Sequence, residues 1–271
     1  MTRLVLLSGW AIDARVFAPL APHWSQGWDV HAIDWPGMGT KSSSPLADPG
    51  SISQLAEAMS PELLPDQDTS VVWVGWSLGA LQAAALARVM GPPDALVLIG
   101  MGPTFCHPAG VSQQALADFN SAFHRDPDRA VEHFLRWQLS AEPEPRPSLA
   151  SLKALLRPQA QADHATLAQG LSTLAQEDIH DVFLKPPCPT ATLCGHDDPL
   201  MAPGVRHAAD ERIAASGHCP MLSQPQRLVE AVERQAQRLL AHRQSTGHGY
   251  SRQTSRPERD RPNPSEAAWQ R

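Results

Sequence analysis

Cysteine is scarce in this sequence, and its positions match no familiar ligand or disulfide pattern. The 271 residues contain four cysteines, Cys106, Cys188, Cys194 and Cys219, and no C-x-x-C pair. Such spacing suits neither a structural zinc site nor a disulfide framework. We therefore expect reduced thiols in a cytoplasmic protein, and no metal site.

Long apolar runs are also missing. The first apolar run, Leu4–Leu7, ends at Ser8, whereas the apolar core of a signal peptide needs about 7–15 residues. No uninterrupted apolar stretch approaches the roughly 20 residues that cross a bilayer. The sequence therefore predicts neither a signal peptide nor a membrane span.

Positive charge is in deficit. The chain has 22 Lys and Arg against 28 Asp and Glu, a net charge of −6 with neutral histidines. A negative surface repels phosphate backbones, so we do not expect a nucleic-acid partner. An acidic protein partner would need a local patch of basic residues.

What the first hundred or so residues do contain is an alternation of strand-like and helix-like segments. Apolar runs predict strands, and segments of helical periodicity lie between several of them. Because these strands are apolar on both faces, they predict a mostly parallel sheet covered by helices. The predicted strands are Leu4–Leu7, Trp28–Asp34, Ser70–Val74 and Ala95–Ile99, and the predicted helices are Ser53–Leu64 and Leu81–Val89.

The pattern changes near residue 103 and becomes polar and helix-like until about residue 185. Strand signals return at Thr190–Leu193 and Glu211–Ala214, followed by an amphipathic helix over Pro225–Leu240. We interpret residues 1–102 and 186–242 as one α/β core and residues 103–185 as a helical lid inserted into it. Residues 243–271 have almost no apolar periodicity, so we expect a disordered tail.

The strongest chemical signal is the run Gly75-Trp76-Ser77-Leu78-Gly79, which matches G-x-S-x-G. A predicted strand enters the motif and a predicted helix leaves it. A sharp strand-to-helix turn exposes the serine hydroxyl, and the helix N-terminus behind it favours a developing negative charge. We therefore predict that Ser77 is a catalytic nucleophile.

A serine hydroxyl needs a base, and the base needs a carboxylate to orient it. His218 directly follows the strand at Glu211–Ala214, and the adjacent Asp197 and Asp198 follow the strand at Thr190–Leu193. Carboxyl ends of parallel strands meet at one edge of a sheet, where ligands bind. His218 is the predicted base, and either aspartate could orient it on position alone.

An acyl-transfer site also needs two N–H donors for the oxyanion. The residue after the nucleophile, Leu78, supplies one in this arrangement, and the loop after the first strand supplies the other. That loop is Ser8-Gly9-Trp10, so Trp10 is the second candidate. Alternatively, Trp10 is simply a core residue, since the chain has eight tryptophans.

Taken together, these motifs resemble those of the α/β-hydrolase superfamily, and most of all the carboxylesterases of the biotin pathway. The resemblance covers about 240 residues and excludes the tail. It rests on five segments: LVLLSGW (4–10), DWPGMGTKS (34–42), VWVGWSLGAL (72–81), CGHDDPLMAP (194–203) and ASGHCPMLSQP (215–225).

The resemblance implies an α/β-hydrolase fold, a Ser77–Asp198–His218 triad, and no cofactor. Asp198 is preferred to Asp197 because the G-x-x-D spacing of the family, counted from Gly195, ends on it. Trp10 and Leu78 then form the oxyanion hole. By the same resemblance, Trp76 and Phe134 line the acyl site.

The implied substrate is the methyl ester of pimeloyl-[acyl-carrier protein], and the implied partner is an acyl carrier protein bound by a monomeric enzyme. The segment at 128–135 resembles a family helix whose arginines bind the carrier, although His133 replaces one of them. Ser8 replaces a usual histidine, and the interval from Asp198 to His218 is short. The candidate carrier contacts are Arg129, Arg136, Lys153 and Arg157.

These departures leave two alternative functions open. One is a general small-molecule carboxylesterase or C–C hydrolase of the same fold, and the other is a non-catalytic binding protein. The complete triad argues against the latter. Residues 129–157 hold five basic and three acidic side chains, a net of +2, which supports an acidic partner only weakly.

Overall fold

A computed structural model describes residues 2–64, 69–157 and 162–245, and centres them on one parallel sheet. The sheet has six strands in the order β2-β1-β3-β4-β5-β6, and every neighbouring pair is parallel. The strands are β1 (Thr2–Leu7), β2 (Trp28–Ile33), β3 (Val71–Trp76), β4 (Ala95–Ile99), β5 (Thr190–Gly195) and β6 (Glu211–Ile213). The predicted α/β architecture is therefore confirmed.

Alternate side chains of the strands fill two cores, one on each face of the sheet. In β1, Val5 and Leu7 pack with helices α1 (Ile52–Leu63) and α2 (Leu78–Val89), while Leu4 and Leu6 pack on the opposite face. That opposite face is covered by the 3₁₀ helix Ala14–His23 and by α10 (Pro225–Ser245). Both faces are buried, which explains why the strands read as continuous apolar runs.

Five helices join β4 to β5 within the residues that the structure describes. They are α3 (Gln113–Arg125), α4 (Pro127–Gln138), α5 (Pro145–Leu155), α6 (His164–Gln176) and α7 (His180–Leu184). Ser112, Asp126 and Asp163 accept backbone N–H bonds as N-caps of α3, α4 and α6. The segment is helical, and its interpretation as an inserted lid stays a prediction.

Basic side chains of the core attach this helical segment at two places. Arg15 donates to the carbonyls of Leu156 and Arg157, which end α5. Arg88 on α2 pairs with Glu177, the residue after α6, and with Asp181 in the first turn of α7. The first contact places a cation at a helix C-terminus, where backbone carbonyls favour it, and the second is a pair of salt bridges.

Two helix boundaries differ from the prediction by at least three residues. Helix α2 begins at Leu78 instead of near Leu81, and α10 continues to Ser245, three residues into the segment interpreted as a tail. The remainder of that segment, residues 246–271, lies outside the described residues. The short interval between β5 and β6 holds only the six-residue helix α8 (Pro203–Ala208), and the four-residue α9 (Pro220–Ser223) precedes α10.

No helix in the described part of the chain is long and apolar enough to span a membrane.

Candidate active site

The predicted functional residues follow four different strands of the sheet. Trp10 lies after β1, Ser77 after β3, Asp198 after β5 and His218 after β6. Because the strands are parallel, all four positions lie at the carboxyl edge of the sheet. Residues separated by more than two hundred positions in the chain therefore share one site.

Ser77 occupies a sharp turn between β3 and α2. Its backbone has φ 57° and ψ −125°, a conformation that side-chain-bearing residues rarely adopt. The flanking glycines make the turn sterically allowed, because a Cβ on Gly75 would lie 2.6 Å from the Cα of Ala80, and one on Gly79 would collide with the carbonyl oxygen of Leu7. The turn thus presents the serine at the end of the strand, as the G-x-S-x-G motif predicts.

Backbone strain is concentrated around this edge. Among the described residues other than glycine, only Ala11, Ser77 and Ala215 have positive φ. Ala11 follows Trp10, and Ala215 begins the loop that carries His218. Such conformations cost about 1–3 kcal/mol each and persist where surrounding contacts enforce them, commonly at functional sites.

The structure brings His218 and Asp198 together in a buried pair. Nδ1 of His218 lies 2.7 Å from Oδ2 of Asp198, and both side chains have 0% exposure. The other carboxylate oxygen accepts the N–H of Leu200 at 2.9 Å. Nε2 of His218 is buried and has no hydrogen-bond partner among the described residues, so it is available to accept a proton.

The choice between the two neighbouring aspartates is clear from burial. Asp197 has 58% side-chain exposure and contacts His196, away from His218. Arg206 stabilises the loop of Asp198 by donating to the backbone carbonyls of Asp198 and Met201, at 2.6 and 2.8 Å. Only Asp198 is therefore in a position to orient the imidazole.

Trp76 packs against the histidine. Its ring centroid lies 5.4 Å from that of His218, and its indole N–H donates to the His218 carbonyl at 2.8 Å. The ring belongs to the core on the sheet face opposite to that of Trp10 and Phe134. Trp76 thus supports the histidine loop, while its place in an acyl-site wall stays a prediction.

The two candidate oxyanion donors lie beside the nucleophile. Leu78 is the first residue of α2, so its N–H has no acceptor within the helix. A Cβ on Gly9 would lie 3.0 Å from the Cβ of Ser77, which places the Gly9-Trp10 loop directly against the serine. This arrangement suits two N–H groups converging on one oxygen.

The indole of Trp10 forms the centre of an aromatic cluster. Phe119, Phe123 and Phe134 meet it edge-to-face, with centroid separations of 5.6, 5.7 and 5.0 Å. Its N–H donates to the carbonyl of Leu167 on α6 at 2.8 Å. Trp10 is therefore both buried in the core and adjacent to the serine, so the two interpretations of it are compatible.

Of the three phenylalanines, only Phe134 was predicted at this site from the sequence; Phe119 and Phe123 were not. Both lie on α3, four residues apart, which places them on one side of that helix. Their helical spacing was the available signal. It could not indicate, however, that this side faces Trp10.

Glu142 was also not predicted, and its carboxylate contacts the histidine loop from outside the predicted triad. It lies between α4 and α5 and accepts backbone N–H bonds from Gly217 and Cys219, the residues on either side of His218. In the sequence it was counted only as one of the acidic residues that offset the positive charge of residues 129–157.

The three buried cysteines do not compete with Ser77 as nucleophiles. Burial, reinforced by the negative charges of Glu142 and Asp198, holds the pKa of Cys219 well above its usual value. Burial likewise raises the pKa values of Cys188 and Cys194 to about 12. All three are neutral thiols at physiological pH, and the thiolate is the reactive form.

The four candidate carrier contacts fall into two groups. Arg136 and Lys153 both pair with Glu132, at 2.5 and 2.6 Å. Arg129 and Arg157 are exposed, and the described residues include no ion-pair partner for either. Two of the four candidate contacts are thus already engaged in ion pairs within the chain. No group of three or more potential metal ligands was found in the described part of the chain.

Comparison with known proteins agrees with this geometry. The model of the alpha/beta hydrolase family matches residues 4–231, and the chain belongs to that family. A solved esterase from Exiguobacterium antarcticum has the same fold, with a TM-score of 0.71, 18% identity, and coverage of 88% of this chain and 92% of the other.

Curated relatives narrow the class to carboxylic ester hydrolases. The chain is 31% identical over 245 residues to the pimeloyl-[acyl-carrier protein] methyl ester esterase of Xanthomonas oryzae pv. oryzae, covering 85% of this chain and 93% of the relative. It is 29% identical over 252 residues to the enzyme of the same name from Proteus mirabilis, covering 88% and 94%. The protein is an esterase of the alpha/beta hydrolase family.

Proposed function

We propose that this esterase hydrolyses the methyl ester of pimeloyl-[acyl-carrier protein], releasing methanol, as a step of biotin biosynthesis. The substrate assignment rests on the similarity of this chain, over 85% of its length, to relatives named for that reaction. The chemistry is supported by the buried His218–Asp198 pair at the same sheet edge as the strained Ser77.

In the first half of the proposed reaction, Nε2 of His218 removes the proton of Ser77 as its oxygen attacks the ester carbonyl. The backbone N–H groups of Trp10 and Leu78 stabilise the negative oxygen of the tetrahedral intermediate. Methoxide leaves with the proton from His218, which yields methanol and an acyl-serine.

In the second half, water replaces the alcohol. His218 removes a proton from the water as it attacks the acyl-serine, and returns that proton to Ser77 as the acid product leaves. Asp198 remains ionised throughout and stabilises the imidazolium that forms twice in each cycle. Ser77 and His218 thereby return to their starting protonation states.

The aromatic cluster around Trp10 gives the acyl chain a suitable environment. A pimeloyl chain is mostly methylene groups, which gain about 0.8 kcal/mol each when they leave water for an apolar site. Phe134 and Trp10 are both buried in the core on the sheet face that α1 and α2 cover. We propose that their rings contact the chain as it approaches Ser77.

One observation favours the second candidate, a general small-molecule carboxylesterase. Glu132 pairs with both Arg136 and Lys153, so only Arg129 and Arg157 of the four proposed carrier contacts lack an acidic partner in the described residues. Carrier recognition therefore depends on those two arginines in this proposal.

The test compares kcat/KM for the carrier-bound methyl ester with that for free methyl pimelate. We expect the carrier-bound ester to be preferred, and added salt to weaken that preference. The double variant Arg129→Glu/Arg157→Glu should raise KM for the carrier-bound ester about 3- to 10-fold, because each exposed pair contributes about 0–1 kcal/mol. The free ester should be unaffected.

The matched control is Lys185→Glu/Arg227→Glu. Both residues are exposed, lie outside α4 and α5, and show no ion pair within the described chain. This variant makes the same change in net charge and should leave the preference intact. If both double variants act alike, or if neither substrate is preferred, the general esterase is the better description.

A further inference from the structure

The loop that carries His218 is fastened by a carboxylate from a distant part of the chain. Glu142 is 3% exposed and lies between α4 and α5. Its Oε2 accepts the N–H of Gly217 at 3.0 Å, and its Oε1 accepts the N–H of Cys219 at 2.7 Å. One carboxylate therefore holds both peptide groups that flank the histidine.

No cation among the described residues accompanies this buried carboxylate. Within the described residues, no Lys, Arg or His forms an ion pair with Glu142, and its partners are the two backbone N–H groups. A buried carboxylate is costly unless it is hydrogen-bonded, and an apolar side chain would fill the same space at lower cost. The residue type is thus explained by the two N–H bonds and not by packing.

The contact is close enough to restrict the sequence on the other side. A Cβ on Gly217 would lie 2.9 Å from Oε1 of Glu142 and 3.0 Å from the backbone carbon of Ala141. Glycine at position 217 therefore permits the approach of the carboxylate to the peptide. The contact with Glu142 thus explains why a glycine precedes His218.

His218 is consequently restrained from three directions. Asp198 fixes the ring through Nδ1, Trp76 donates to the carbonyl of His218, and Glu142 holds the peptide groups before and after it. Of these three, only Glu142 comes from the helical segment between β4 and β5. Without it, two buried N–H groups would lack acceptors and the loop would shift.

We infer that Glu142 is a positioning residue for catalysis, acting through His218 to keep Nε2 directed at Ser77. The inference rests on the proposed catalytic role of Ser77 and His218. It assigns to a residue of the predicted lid a function in proton transfer, not in substrate binding. A displacement of about 1 Å in a catalytic group can cost about 100-fold in rate.

The test is Glu142→Gln, which keeps the shape but replaces one accepting oxygen by an NH₂ donor. We expect kcat for a free short-chain ester to fall about 10- to 100-fold while KM stays within about twofold. Covalent labelling of Ser77 by a fluorophosphonate, which needs the same proton transfer, should slow by a similar factor. Thermal unfolding and circular dichroism establish that the variant is folded at the assay temperature.

Glu144→Gln is the matched control, since this glutamate is exposed, lies two residues away and has the same charge. It should leave kcat and the labelling rate unchanged. Glu142→Asp restores a carboxylate one methylene shorter, and its kcat should lie between those of the wild type and of Glu142→Gln. This variant also provides the measurement if the glutamine variant does not fold.

The outcomes separate this inference from the proposed function. A wild-type kcat in Glu142→Gln, a change confined to KM, or an aspartate variant with wild-type kcat or one no better than glutamine would overturn the positioning role. Ser77→Ala is assayed in parallel. If that variant keeps its activity, the proposed serine mechanism itself fails, whatever the behaviour of Glu142.

Discussion

The carboxyl edge of the sheet and the outer surface of helices α4 and α5 carry the two sets of candidate functional residues, and they differ sharply. At the edge, Asp198 and His218 are fully buried and hydrogen-bonded, and Ser77 is held in a strained conformation. On the outer surface, Arg129 and Arg157 are exposed, and Arg136 and Lys153 share one glutamate.

This difference teaches how each set should respond to substitution. Groups fixed by burial and several hydrogen bonds act as a unit, so removing one atom disables the rest. Exposed charges act separately through a screened field, and each contributes little. Substitutions at the edge should therefore change the rate of the chemical step by orders of magnitude, and those on the surface should change KM by small factors.

The largest effect is expected for Ser77→Ala. Alanine retains the Cβ, so the turn is unchanged and only the hydroxyl is lost. We expect kcat for any ester to fall about 10⁶-fold, as in a comparable triad, with an unaltered melting temperature. A fluorophosphonate should label the wild type once, at Ser77, by mass spectrometry. Labelling at another residue, or an active variant, would remove the edge from consideration as the active site.

A somewhat smaller effect is expected for Asp198→Asn, with Asp197→Asn as its control. The amide cannot hold the same imidazole tautomer or stabilise the imidazolium, and in a comparable triad this change costs about 10⁴ in kcat. Asp197 is largely exposed, so the same substitution there should change kcat less than about twofold. Steady-state kinetics on one free ester compares the two, and the reverse order of sensitivity would contradict the assignment.

The smallest effect concerns the outer surface. Glu132→Gln should release Arg136 and Lys153 from their ion pairs and make this surface more basic. KM for the carrier-bound ester should fall severalfold and become more sensitive to salt, while stability changes by about 0–1 kcal/mol. Glu144→Gln removes the same charge from an exposed glutamate that forms no ion pair with any residue the structure describes. Equal KM values for both variants would indicate that Arg136 and Lys153 do not contact the carrier.

Much of the edge was predictable because its elements leave strong local signals. The G-x-S-x-G motif follows a buried strand, and the acid and histidine follow later strands, so the parallel arrangement alone implies their convergence. The start of α2 was predicted too late because Gly79 is a poor helix residue. The structure explains it by close approach to the carbonyl of Leu7, where any Cβ would collide.

The helical segment was less predictable because its contacts are long-range. Pro145 begins α5, a position where the missing N–H of proline has no cost, yet the sequence predicts no helix boundary there. Glu142 resembles any surface glutamate in the sequence, and its partners lie about 75 residues further along the chain. No local pattern distinguishes a buried acceptor of backbone N–H groups from a solvated charge.

The three positive-φ residues at the edge have a consequence for the stability of the protein. Ala11, Ser77 and Ala215 each hold an unfavourable backbone conformation, and about 1–3 kcal/mol apiece is large beside the roughly 5–15 kcal/mol of net stability typical of a domain. Packing in the two cores of the sheet must offset this backbone strain. Thermal stability and catalytic turnover therefore place conflicting demands on this edge. Stabilising substitutions that keep the activity are expected first at surface positions.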